Sequence, residues 1–517
     1  MKKVEIYDST LRDGAQMHKI SFSISDRLKI VQKLDEFGID YIEAGNPGSN
    51  PKEKEFFEKA KKLTLKNSKL VAFGSTRRAD VKVEEDENLK SIISSGTEIA
   101  CIYGKAWDFQ VTDILKTTLQ ENLKMINSSI KFLIKNKKQV FFDAEHFYDG
   151  YKANPEYALK VVKTAIEAGA TRIILCDTNG GCLTTEIFAI TKKVCKLFKE
   201  AKFGIHCHND MELAVANSII AVDAGIYQIQ GTINGFGERC GNANLCSIIP
   251  TLILKKKCKC LNSDSLSEIT EVSKFVDEVA NCIANPRNPY VGNLAFTHKA
   301  GAHINAINKN PQSFEHIEPE LVGNNRKKLV SELAGKSAIF EVAHKMLPDI
   351  TNKDSRLTSI INRIKALEKE GYQYEDSQAS LELLIAKELE IYNNFVEIVD
   401  IKVIVEKDNT VAIVKVKIND RERLSSAEGN GPVDAINKAL RKAIGKLNEA
   451  LINVELIDYK VRAIESSAGS DSKVIVNIQT TNKDITWDTV GVSTDIVEAS
   501  MQALLDSIEY AKFIGLI

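Results

Sequence analysis

The stretch FGIHCHND, residues 203–210, sets one cysteine between two histidines. If residues 203–206 run as a strand, the period of two sends His206 and His208 to one face and Cys207 to the other. Two imidazoles on one face suit a divalent cation, since neutral imidazole nitrogen is a common metal ligand. An isolated pair of this kind also occurs on surfaces and in hydrogen-bonded cores, so it needs partners. The stretch YDSTLRDGAQ, residues 7–16, offers Asp13 as a hard oxygen donor, and Asn242 in NGFGERCGNA, residues 234–243, offers a carbonyl oxygen. Two nitrogens and two oxygens leave positions open in an octahedral shell, the arrangement of a catalytic Mg2+, Mn2+ or Zn2+ ion completed by substrate oxygens. Arg12, a fixed cation with planar donors, would lie beside the ion and steady a developing oxyanion.

Such donors must be carried by elements that converge. The first 260 residues alternate β-rich runs with amphipathic helical segments, the pattern of parallel strands joined by crossover helices. Eight runs stand out, at 4–9, 41–45, 70–75, 98–104, 139–146, 172–178, 203–208 and 227–235. Eight βα units in roughly 250 residues predict a closed (β/α)8 TIM barrel, whose chemistry sits at the C-terminal strand ends. The ionisable residues obey that rule: Arg12 and Asp13 follow the first run, and Glu43, Glu145, Asp177, Thr178 and the histidine pair sit at the ends of later ones. Asn234 closes the eighth. Asp8 is read more simply as a loop anchor, Glu43 as the partner of a neighbouring lysine and His298 as a helix-surface residue.

Three domains are expected: the barrel at 1–285, a helical linker region at 286–390 in which the β runs stop, and an α+β domain at 391–517. The last contains a repeat, VEIVDIKV at 396–403 recurring as VELIDYKV at 454–461. Each copy leads through further strands and a glycine-containing turn to a long amphipathic helix, at 432–451 and 495–513. Each βββα half is too small to bury its own sheet, so the two should pack with pseudo-twofold symmetry. The glycine turns before the helices, with Gly429, Gly431, Gly491 and Ser493, offer free amides to the carboxylate of a small ligand.

Lys and Arg total 69 against 70 Asp and Glu, so no basic field favours nucleic acid or an anionic membrane. No apolar run is long enough to span a bilayer, and the start MKKVEIYDST lacks a signal core, which points to the cytoplasm. The 10 cysteines lie without disulfide-framework spacing, as reduced thiols. Cys258 and Cys260 in KKCKC read as bland thiols on a solvated, lysine-rich segment.

The motifs TLRDGAQ, HCHND, NGFGERCGN and HKAGAH, in that order, resemble those of the isopropylmalate, homocitrate and citramalate synthases, barrel enzymes of the DRE-TIM metallolyase type. PELVGN, SELAGKSA and GVSTDIVEAS extend the similarity over the whole chain, and YIEAGNPGSNPKE and FDAEHFYDGYKANPEYAL are most similar to the citramalate branch. The resemblance implies a Claisen condensation of acetyl-CoA, as co-substrate, with pyruvate to give (R)-citramalate and CoA, opening a threonine-independent isoleucine pathway. It implies that Glu145 and His303 take the acetyl proton, that Arg12 and Thr178 bind the oxo acid, and that Asp13, His206, His208 and Asn242 hold the metal. It also implies a homodimer in which His303 serves its own or the partner's site, and isoleucine as an allosteric ligand of the C-terminal domain. Two departures bear on this: Gln110 in KAWDFQV replaces an expected histidine, and Ala44 and Asn46 alter the expected GGWPGSNP. Candidate walls of the oxo-acid pocket are Phe73, Ile102 and Tyr103, bulky enough to favour a methyl side chain. The competing readings are isopropylmalate or homocitrate synthase, a lyase of the hydroxymethylglutaryl-CoA type, which would resemble the barrel alone, and a metabolite sensor with a dead barrel, which the complete ligand set opposes.

Overall fold

The computed structural model describes residues 2–261, 263–328, 336–407, 409–445, 453–464 and 472–517. Eight parallel strands, β1 (Glu5–Asp8), β2 (Tyr41–Gly45), β3 (Lys69–Ser75), β4 (Ile99–Lys105), β5 (Gln139–Glu145), β6 (Arg172–Asp177), β7 (Phe203–Cys207) and β8 (Gln228–Gly231), form a closed barrel in sequence order. It closes where β1 meets β8, with Glu5 opposite Gln228 and Asp8 opposite Gly231. This is the barrel expected from the eight runs.

Each strand is buried on both faces, as a barrel wrapped in helices requires. One set of side chains, including Ile6, Ile42, Ala72, Ile102, Phe142, Leu175 and Ile205, packs outward into the helical layer. The alternate set, including Tyr7, Val71, Cys101, Phe141 and Ile174, forms a separate interior cluster. Ile102 is therefore not a pocket wall: its neighbours Cys101 and Tyr103 take the inward face of β4, and Ile102 points to the helices. At the barrel floor Arg172 donates from Nε and Nη2 to both Glu5 oxygens at 2.9 and 2.8 Å. The helices carry ordinary punctuation. Ile24–Phe37 starts with a Ser23/Asp26 capping box and ends at Gly38 with φ 91°, and its buried stripe is Ile30, Val31, Leu34 and Phe37. All 10 cysteines are free. Contrary to expectation, Cys258 and Cys260 are buried, because their segment turns under the barrel: Lys259 pairs with Lys2 and Val4 beside β1.

The chain divides into two compact units, Met1–Phe296 with Ile317–Arg326, and Thr297–His316 with Lys327–Ile517. In the second, the expected stop of β structure is not complete, since β9 (Thr297–His298) and β10 (Lys327–Lys328) form a parallel pair. The helices Gly301–Lys309, Lys336–Met346, Arg356–Glu370 and Gln378–Glu388 follow. The repeat folds into two antiparallel sheets, β11 (Val396–Val405), β12 (Thr410–Ile418) and β13 (Arg421–Gly429), then β14 (Glu455–Ala463), β15 (Val474–Thr481) and β16 (Thr486–Ser493). The duplication extends to an irregularity: both first strands shift register three residues into the repeat, between Ile398 and Asp400 and between Leu456 and Asp458. The helices Pro432–Ile444 and Ile496–Phe513 cover the sheets; of the first expected helix, residues 446–451 lie outside the described residues. Among the described residues no helix is long and apolar enough to cross a membrane.

Candidate active site

The loop after β1 is tied by Asp8, whose carboxylate accepts from Thr10 N at 3.0 Å and Thr10 Oγ1 at 2.8 Å. The turn brings Arg12 and Asp13 over the barrel axis. Glu43 does not take a lysine as its partner: it accepts from Tyr7 Oη at 2.6 Å, from Ser9 Oγ, and from Arg12 Nε at 2.6 Å. Arg12 also donates from Nη1 to Asp13 Oδ2 at 2.9 Å, and its guanidinium lies 3.8 Å from the Phe73 ring centroid. Two carboxylates and a ring face thus leave the arginine little freedom.

Asp13 Oδ2 lies 3.5 Å from His206 Nε2 and 4.0 Å from His208 Nε2. Candidate donor atoms of the three residues all fall within 4.8 Å of one another. His206 is placed by β7, and the chain beyond it bridges His208 to Asn242. Two glycines make that bridge possible. Gly237 and Gly241 have φ of 151° and 84°, and a Cβ on Gly237 would strike Asn242 Nδ2. Asn242 donates from Nδ2 to Phe236 O at 3.1 Å, which leaves its buried Oδ1 without a hydrogen-bond partner. His206 Nδ1 lies 3.0 Å from Gln230 Oε1. That contact makes Nδ1 the protonated nitrogen and frees Nε2, on the Asp13 side, as a donor to metal. Gln230 is in turn held at 3.4 Å to Asp143 Oδ1, which also accepts from Cys101 Sγ at 3.2 Å.

The electrostatics agree with a cation site. Burial alone would raise the Asp13 carboxyl, but Arg12, with His206 and His208 behind it, holds it well below the usual carboxylate range. Burial first, then the neighbouring His206, pushes His208 down to about 4, so it is neutral and able to ligate near pH 7. Beneath them, burial and the charge of Glu43 push Asp143 up to about 6. An orphaned amide oxygen, two imidazoles with free nitrogens and an ionised carboxylate fit a divalent cation.

A cavity of ≈ 520 Å³ opens on this cluster, lined by Arg12, Asp13, Glu145, Thr178, His206 and His208 among others. Glu145, at the end of β5, is ion-paired with Lys105 at the end of β4. Thr178 Oγ1 accepts from His146 N at 2.8 Å. Phe73 and Tyr103 stack at 5.5 Å and 18° and form one wall, and Asn46 reaches the same cavity. Gln110 does not line it, being the first residue of the π-helical turn Gln110–Ile114. Asn234 lines a second cavity behind the 235–242 loop together with Asn242. Three polar groups escaped the sequence reading. Arg239 lines the cavity, donating to both Asp210 oxygens at 2.8 and 2.9 Å and to Thr178 O at 2.9 Å. Lys105 and Gln230 are the others. A cation in a loop after a barrel strand and the alternation of Gln228 and Gln230 were the available signals.

His303 belongs to the other unit, exposed on Gly301–Lys309 and stacked on Phe314 at 4.0 Å. His298 is not on a helix surface but on β9, with Nε2 3.1 Å from Glu315 Oε1. Gly429 ends β13 and Gly491 lies two residues before the end of β16; a Cβ on them would collide with Ala435 N and Ala499 O of the covering helices. Gly431 faces open space, and Ser493 accepts from Asp495 N at 3.1 Å while its hydroxyl donates to Glu498 Oε2 at 2.5 Å.

Residues 3–276 match the HMGL-like family, 290–372 the homocitrate synthase post-HMGL domain-like family, and 375–512 the LeuA allosteric (dimerisation) domain. The chain is 50% identical to the (R)-citramalate synthase of Aquifex aeolicus, over 98% of each chain. With that of Geobacter sulfurreducens it shares 49% identity, over 99% of this chain and 98% of the relative. The chain belongs to the (R)-citramalate synthase family. A 2-isopropylmalate synthase of Methanocaldococcus jannaschii is more distant, at 32% identity over 98% of this chain and 94% of the relative. The family is a transferase family, so the rival readings as lyase and as sensor fall away.

Proposed function

We propose that this chain condenses acetyl-CoA with pyruvate and water to give (R)-citramalate and CoA. The observation that carries the reading is the near full-length identity to (R)-citramalate synthases, joined to a complete donor set at the barrel mouth. Asp13, His206, His208 and Asn242 would hold a divalent cation, which when bound would supply Lewis acidity toward the 2-oxo acid. Arg12, braced by Glu43 and Phe73, keeps donors on the oxygen that gains charge as the ketone is attacked. Thr178 holds the substrate carboxylate. Glu145 takes a proton from the acetyl methyl, with Lys105 fixing the carboxylate and His303, from its own or a partner's linker, sharing the transfer. Water then cleaves the citramalyl thioester, which makes the sequence irreversible.

Phe73 and Tyr103 support pyruvate, because two aromatic rings lining the cavity take up space that a branched side chain would need. In a thiol-release assay with Mg2+, Mn2+ and Zn2+, pyruvate should give the highest kcat/KM of a panel of 2-oxo acids. One or two added methylenes cost roughly 10–200-fold when a pocket is built against them. Highest activity on 2-oxoisovalerate would reassign the chain to isopropylmalate synthesis, and on 2-oxoglutarate to homocitrate synthesis.

The match to the LeuA allosteric (dimerisation) domain supports a homodimer whose C-terminal region binds the pathway end product, isoleucine. Its pseudo-symmetric halves and the turns at Gly429, Gly431, Gly491 and Ser493 are where the amino acid would sit. The free thiols and balanced charge suit a cytoplasmic enzyme. Isoleucine should inhibit the full-length enzyme through a coupling of about 1–3 kcal/mol, or 5–150-fold in apparent affinity. Leucine and valine are the controls in calorimetry and turnover, and binding of none of the three would leave the domain an assembly role alone.

A further inference from the structure

We infer that His146 is a positioning residue whose strained backbone, not its imidazole, aims the Thr178 hydroxyl into the cavity. His146 has φ 59°, a left-handed conformation, directly after Glu145 and as the N-cap of Phe147–Ala153. Such a conformation is uncommon for a residue with a Cβ and persists only where the surroundings over-determine it. The surroundings here do. The residue is 8% exposed, its ring packs 5.9 Å from that of Trp107, and the helix begins at once, with Gly150 N bonding to His146 O at 2.9 Å.

The positive φ lets the chain turn at once into Phe147–Ala153 while the amide that precedes it stays aimed from the end of β5 to the end of β6, where it donates to Thr178 Oγ1 at 2.8 Å. Among the described residues Thr178 Oγ1 makes no other hydrogen bond. A hydroxyl that accepts in one direction must place its own proton in another. Thr178 lines the cavity, so the proton is left for a ligand acceptor there. The accepted N–H occupies one of the two lone pairs of Oγ1 and turns the O–H away from His146, which favours donation toward the cavity, as an anionic oxygen requires. The ring nitrogens do not explain the site: His146 Nδ1 is buried without a hydrogen-bond partner, 3.7 Å from Asp149 Oδ2.

This inference rests on the reading of Thr178 as the group that binds the substrate carboxylate, and the experiment separates the two. Thr178→Val in the full-length enzyme tests that reading by itself. It should raise the KM for pyruvate about 10–100-fold, the scale of a lost hydrogen bond to a charged group, and leave the KM for acetyl-CoA within about threefold. His146→Val, whose β-branched side chain opposes a positive φ, should raise the pyruvate KM by a similar factor, again sparing acetyl-CoA. His146→Gly, which adopts the conformation without strain, should restore the pyruvate KM although it has no imidazole. The double variant His146→Val with Thr178→Val should be no worse than Thr178→Val, since both act through one hydroxyl. His146→Ala replaces the valine variant if that chain melts below the assay temperature. An unchanged pyruvate KM in the valine and alanine variants, a glycine variant as impaired as they are, or additive losses in the double variant would each overturn the role of His146 and leave Thr178 as assigned. An unchanged pyruvate KM in Thr178→Val would remove the reading of Thr178, and the inference with it.

Discussion

Replacing His206 or Asp13 by alanine should abolish turnover and metal retention together. Each substitution removes one of two imidazoles, or the only carboxylate, from a set of four protein donors, and the remaining groups are weak for a hard or borderline cation. The two variants should differ in one respect. His206→Ala leaves Arg12 paired with both Glu43 and Asp13, whereas Asp13→Ala removes one of the two anions that hold the guanidinium. The aspartate variant should therefore lose the ordered arginine as well as the ion, and excess metal should rescue it less. The check is metal content after dialysis against apo buffer, measured by atomic emission beside CoA release at saturating metal. Full metal content with full activity in either variant would dismiss this cluster as the centre.

Glu145→Gln should separate chemistry from metal binding. The amide keeps nearly the same shape but cannot accept a proton, so kcat should fall by roughly two to four orders of magnitude, the range of a general-base contribution. Metal content and the KM for pyruvate should stay close to those of the unaltered enzyme, because Glu145 is not among the donor atoms that converge on Asp13. The specific readout is exchange of the acetyl methyl hydrogens of acetyl-CoA with deuterated water, followed in the presence of a non-condensing 2-oxo acid analogue. Exchange should be lost with turnover. Exchange that persists unchanged while turnover falls would show that Glu145 acts after enolate formation and not in it.

How much of this was legible before folding differs from residue to residue. The histidine pair was readable because a strand has a period of two, so His206 and His208 share a face in any sheet. Asp13 and Asn242 were readable as donor types at strand ends, once eight βα runs implied a barrel with one chemical mouth. Ile102 shows where the method stops. It sits in the same run as Tyr103, and one step along a strand exchanges core for cavity. Only the paired register, with Tyr103 beside Ser75 and Asp143, says which of the two faces inward. Glu43 shows a second limit, for its partner is Arg12 on another strand's loop and not a lysine nearby in sequence.

By itself, then, the order of residues determined the number of barrel strands, the duplicated C-terminal halves and the types of atom available for a metal, because these depend on periodicity and side-chain chemistry. Tertiary structure alone decided which nitrogen of His206 is free, through Gln230, a residue 24 positions away. It likewise decided that the His146 amide meets Thr178, 32 positions on, and that Lys105 meets Glu145 across adjacent strands. The physical reason is common to all three. A hydrogen bond or ion pair requires atoms within about 3 Å in a fixed orientation, and in a closed barrel that proximity is set by register between strands, which no local pattern along the chain encodes.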